Sequence, residues 1–85
     1  MTYILFDTTT KAPLSYYYPN GNGETADVIG SSWKSFSTYP TLDEAIDHLV
    51  YLKRSSADAS HWSPELRRKV RRRISNLSIR RYEAQ

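Results

Sequence analysis

The chain contains no cysteine, which excludes disulfide staples and thiolate zinc sites. It has no apolar stretch approaching the ~20 residues needed to cross a bilayer. Its first ten residues, MTYILFDTTT, lack the charged start and long apolar run of a secretory signal. A cytoplasmic location is the expectation. Glycine is scarce, at three residues, and Gly21 and Gly23 fall in Pro19-Asn20-Gly21-Asn22-Gly23, without the strand–helix frame and lysine of a phosphate-binding loop. This stretch predicts a loop, because Asn and Gly tolerate positive φ. There are two histidines and no nucleophile motif for them to serve. His48 follows Glu44 by one helical turn, where a surface hydrogen bond between the two is expected. His61 stands at a helix entry. A zinc site on His48, His61 and a carboxylate would draw on separate elements without the usual ligand spacing. No enzymatic activity, cofactor or metal is expected.

With 85 residues the chain supports one domain with one small core. Hydrophobic residues make up 39%, enough for a globular rather than a disordered chain. The net charge of +3 hides a division. Residues 1–52 carry two cations and six acids; residues 53–85 carry ten cations and three acids. Such asymmetry points to a basic surface aimed at an anionic partner, unless the two halves neutralise each other. Surface pairs contribute about 0–1 kcal/mol each and could neutralise only part of the run.

That run is the dominant feature. Ser63 is a good helix N-cap, Pro64 suits the first helical position, and Glu65 suits the positive end of the dipole. Leu66, Val70, Ile74 and Leu77 recur at three- and four-residue spacing and form a narrow apolar seam. Arg67, Arg68, Lys69, Arg71, Arg72, Arg73, Arg80 and Arg81 fill most of the remaining circumference, with no acid among them. A basic helix over residues 63–82 is predicted, regular to about Asn76. Ile79 falls opposite the seam, so the last residues are either exposed helix or extended chain.

Residues 3–6, apolar on both faces, predict a central strand. Residues 14–18 predict a second, with Tyr17 facing away from Leu14, Tyr16 and Tyr18. Residues 26–29 fit a short strand or a helical turn. Residues 33–37 predict another strand, with Trp33 and Phe36 on opposite faces. Thr41-Leu42-Asp43-Glu44 is a capping box opening an amphipathic helix to about Arg54, and residues 55–62 read as a linker. The Thr41-to-Ala45 join resembles the strand–helix step of HicB-like antitoxin domains, without their Pro-Asp-Leu-Pro-Gly segment; capping chemistry accounts for the likeness, and no family is assigned. Strands first and helices after predict an α+β fold: a small antiparallel sheet of three to four strands followed by two helices, the C-terminal one strongly basic.

Seven tyrosines, two tryptophans and two phenylalanines are many for this length. Tyr16, Tyr17, Tyr18, Trp33 and Phe36 could offer bases a stacking platform, although filling a small core is the commoner use of large rings. Tyr17, Trp33 and Trp62 are the candidate aromatic contacts. The arginine-rich face suits bidentate contacts to phosphates. Two functions follow. One is nucleic-acid binding through the backbone, with the eight cations named above as the contact residues. The other is a protein-binding regulator or inhibitor docking on an acidic surface of a larger enzyme or assembly, as small phage-encoded or host accessory factors do. A membrane-surface role is disfavoured, because the seam is narrow and lacks Trp and Phe.

Overall fold

The doubly apolar stretch at residues 3–6 does become a central strand. In the computed structural model, which describes residues 1–20 and 28–83, β1 (Thr2–Asp7) lies between β2 (Ala12–Tyr17) and β4 (Leu77–Tyr82), and β3 (Ile29–Ser31) lies beyond β2. Every neighbouring pair is antiparallel, which gives the sheet order β3-β2-β1-β4. Helices α1 (Leu42–Ala57) and α2 (Pro64–Ser75) fall in sequence between β3 and β4. The fold is α+β.

One sheet face packs on the helices. Leu5, Leu14, Ile29 and Leu77 meet Ala45 and Leu52 of α1 and Val70 and Ile74 of α2 in a single core, with Tyr3, Tyr17 and Ile79 at its margin. The register pairs Leu5 with Ile79 and Asp7 with Leu77, so these four share the helix-covered face. On the opposite face lie Ile4 and Phe6, paired with Arg80 and Ser78.

Three sequence expectations are corrected. The basic helix ends at Ser75, and residues 77–82 form an edge strand with a full six-residue pairing to β1. Leu77 and Ile79 alternate with polar neighbours, and that period-two pattern buries them against the helices, which a continued helix would not. Residues 33–37 are irregular, bending over 33–35. Their polar groups are satisfied singly: the Trp33 indole N–H donates to the Lys11 carbonyl at 3.0 Å, and the Ser37 N–H to the Leu14 carbonyl at 3.1 Å. Trp33 and Phe36 consequently fall together, 5.6 Å apart. Helix α1 runs one turn past Arg54, because Ser55 and Ser56 find partners inside a helix. The Ser56 hydroxyl donates to the Lys53 carbonyl, the Ser55 hydroxyl shares a bond with Tyr17, and the Asp58 N–H caps the Arg54 carbonyl. The expected starts hold. Thr41 and Ser63 are the N-caps, accepting from the amides of Glu44 and Leu66. Of the residues expected as loop and short strand, 21–23 and 26–27 lie outside the described ones.

Asp7 joins these elements. Its side chain is 1% exposed. Oδ1 accepts from the Thr9 amide at 2.9 Å and more weakly from the Thr10 amide at 3.4 Å, which shapes the four-residue turn into β2. That turn closes through Lys11, whose φ of 59° lies in the left-handed region. Oδ2 accepts from the Ser31 hydroxyl at 3.0 Å and from Nε and Nη2 of Arg73 at 3.1 and 3.0 Å. One carboxylate thus ties the β1–β2 turn and β3 to α2. Burial alone would raise its pKa, but the Thr9 amide, the Arg73 guanidinium and the Ser31 hydroxyl outweigh it and hold the carboxyl below its ordinary range.

Because the folded-state pKa lies below the unfolded one, the Asp7 contribution is complete above about pH 4 and is lost as the pH falls through the folded value. Asp7→Asn is expected to cost about 2–4 kcal/mol at neutral pH, by leaving a partly buried guanidinium without its anion. Urea unfolding of both proteins against pH checks this. The gap between them should narrow below about pH 3, and a gap independent of pH contradicts the assignment.

Candidate anion-binding face

Repulsion among cations three and four apart on a helix is tolerable only when the helix is held by something else. Val70 and Ile74 dock α2 in the core, and Arg73 anchors its last turn to Asp7. At about 100° per residue this orientation fixes where the other cations point. Arg71, Arg68, Arg72 and Lys69 fan across roughly 160° of the outer surface, and all four are exposed. Among the described residues the one ion pair is Arg73–Asp7, so none of these four is ion-paired there.

The eight cations expected to act together divide into three groups. Arg68, Lys69, Arg71 and Arg72 form the outer face of α2. Arg67 and Arg73 are half-buried and committed inward: Nη2 of Arg67 donates to the Ala59 carbonyl at 2.9 Å, and Arg73 holds Asp7. Arg80 and Arg81 are exposed on β4 and, as strand neighbours, point to opposite faces. The Arg80 guanidinium carbon stands 4.0 Å from the centroid of the Phe6 ring, a cation–π contact. The basic face is therefore narrower than the sequence suggested.

The β1–β2 turn borders it. The Asn76 side-chain amide donates to the Thr9 hydroxyl at 2.7 Å, and the Thr8 hydroxyl donates to the Asn76 carbonyl at 3.1 Å. Thr9 and Asn76 line an open groove of about 430 Å³ together with Arg68, Lys69, Arg72 and Arg73, and Glu65 is the one carboxylate lining it. Hydroxyl and amide groups beside three cations that are outside the Arg73–Asp7 pair make a setting for phosphate oxygens, which accept several hydrogen bonds at once. Sequence reasoning missed Thr9 and Asn76, since nothing local marks residues that meet across 67 positions.

The three aromatic candidates separate. Trp62 is 3% exposed and lies in the core. Tyr17 turns toward α1, sharing its hydroxyl with Ser55 and meeting Tyr51 and Trp62 edge-on; burial raises its pKa. Both rings thus lie on the core side of the sheet, Trp62 buried and Tyr17 half-buried. The cause for Tyr17 is a register shift between Leu14 and Tyr16, which reverses the alternation beyond it. Tyr16 and Tyr18 then stack with centroids 5.0 Å apart, and Tyr16 covers Gly30, where an added Cβ would lie 2.6 Å from the phenol oxygen. Trp33 is 51% exposed. It caps the far sheet face, in ring contact with Phe6, Phe36 and Tyr82.

His48 does not meet the Glu44 partner expected of it. His48 Nδ1 bonds the Tyr39 hydroxyl, and the Glu44 carboxylate instead accepts from the Thr41 hydroxyl. Burial lowers the His48 pKa and raises that of Tyr39. His61 Nε2 lies 2.8 Å from the Pro19 carbonyl oxygen. No helix in the described residues is long and apolar enough to cross a membrane. No family model matches the chain, and no curated protein or solved structure is similar enough to it to bear on function.

Trp33→Phe leaves Trp62 as the sole indole. Its emission should shift to shorter wavelength and resist acrylamide quenching, whereas a readily quenched residual signal contradicts the buried position of Trp62.

Proposed function

We propose that this chain is a small non-enzymatic binding protein whose outer α2 face holds the phosphate backbone of a nucleic acid. The observation that carries this reading is that Arg68, Lys69, Arg71 and Arg72 stand exposed on one rigid helix while the one ion pair of the described residues engages Arg73 alone. Four cations on a docked helix lose little conformational freedom when an anion arrives, and the anion relieves their mutual repulsion. Arginine in three of the four positions favours planar, two-point contacts to phosphate.

Contacts of this kind position a backbone without reading bases. Binding is accordingly expected to show little sequence preference and a steep salt dependence. Displacing counterions at about four phosphates predicts a log–log slope near −3 to −4. The alternative, an acidic protein surface, uses the same face.

Fluorescence anisotropy with random-sequence oligonucleotides across a salt series tests the proposal. The expected result is the steep slope above, with at least a tenfold loss of affinity for Arg68→Glu combined with Arg72→Glu at low salt. Both side chains are exposed, so the thermal midpoint should change little. Absence of binding at low ionic strength overturns the nucleic-acid reading in favour of the acidic protein surface. Binding unaffected by the double reversal overturns the assignment to this face.

A further inference from the structure

Helix α1 has two apolar faces and buries one. Ala45 and Leu52 enter the core, with Leu49 packed beside them. Outside that face, Leu42, Ile46 and Val50 follow one another at i, i+4 and i+8, and they are 47%, 41% and 39% exposed. Ala57, also exposed, lies on the same line two turns further on, beyond Lys53. A helix face meant for solvent carries polar side chains, and contiguous aliphatics in water mark a contact surface.

The charges beside this stripe say what covers it. At about 100° per residue Asp43, Arg54 and Asp47 fall within roughly 40° of each other, all on one flank. Among the described residues none of the three is in an ion pair. We infer that α1 packs against α1 of a second copy of this chain, antiparallel about a two-fold axis passing between Ile46 and Val50. In that arrangement Ile46 meets Val50 of the second copy. Each flank faces the same flank of the other copy, run in reverse. Asp43 then stands within one residue's rise, about 1.5 Å along the axis, of the level of Arg54 of the second copy, and symmetry makes this contact twice. The helix dipoles oppose as well. A parallel pair would instead set Arg54 beside Lys53 of the second copy and leave both aspartates unmatched. The charge order along α1, acids first and bases last, therefore selects the antiparallel form.

A single pair of 16-residue helices lies at the low end of stable interface sizes, so the dimer is weak and concentration-dependent. Sedimentation of the full chain from low-micromolar to submillimolar concentration tests it. The expected result is a rise from one to two chain masses. Ile46→Glu, at an exposed position, should stay monomeric throughout with an unchanged circular dichroism spectrum and melt. Asp43→Arg should weaken the dimer about tenfold, and adding Arg54→Asp should restore it. A chain that is monomeric at every concentration overturns the proposal and assigns the stripe to another partner. So does a dimer indifferent to Ile46→Glu, and a failure of the Asp43/Arg54 exchange overturns the antiparallel register. Oligonucleotide binding by the Ile46→Glu monomer is a separate readout, because the arginine face lies on α2.

Discussion

The structure turns on one buried carboxylate. Asp7 receives two amides from its own turn, a hydroxyl from β3 and a two-point arginine contact from α2. Burying an anion is costly unless its oxygens are fully engaged, and here five donors address it. The geometry follows from that requirement. The turn must curl back over Asp7, Ser31 must reach across, and α2 must set Arg73 toward the sheet. With Arg73 and Ile74 both held, the rotation of α2 is fixed, and Arg68 and Arg72 can point only outward. A stabilising contact in the fold thereby decides which cations a partner meets.

Charge in this chain is segregated more than it is paired. The acids of α1 remain on α1, with Glu44 engaged by Thr41, and the described residues show one ion pair between the acidic and basic halves. The sheet edge follows similar logic. β4 is an outer strand, and Arg80 and Arg81 stand on it where unpaired backbone groups would otherwise invite another chain. Arg80 also covers Phe6, so one side chain both shields the far face and adds charge beside it.

Local chemistry was legible and long-range geometry was not. Thr41 and Ser63-Pro64 announce helix starts through capping alone, and residues 3–6 reveal a central strand because both faces are apolar. The end of α2 was half-legible, since Ile79 fits a strand and not the seam. The continuation of α1 through Ser55 and Ser56 was hidden, because their hydroxyls are satisfied by partners that only the folded chain supplies. Tyr17 was misread because a bulge has no signature in a tyrosine run. The role of Asp7 was invisible for the same reason as that of Thr9 and Asn76: it depends on Arg73, sixty-six residues away. At the candidate face, the identity of the cations could be read from the sequence, and the removal of Arg67 and Arg73 from it could not.

The central claim, that one guanidinium is locked and its neighbours are open, can be read directly from arginine side-chain NMR. Exchange of each Nε proton with water reports whether that group is held in a hydrogen bond away from solvent. The Arg73 proton should exchange much more slowly than those of Arg68, Arg71 and Arg72, which should match a free arginine side chain. Equal protection across all four, or rapid exchange at Arg73, would contradict the account.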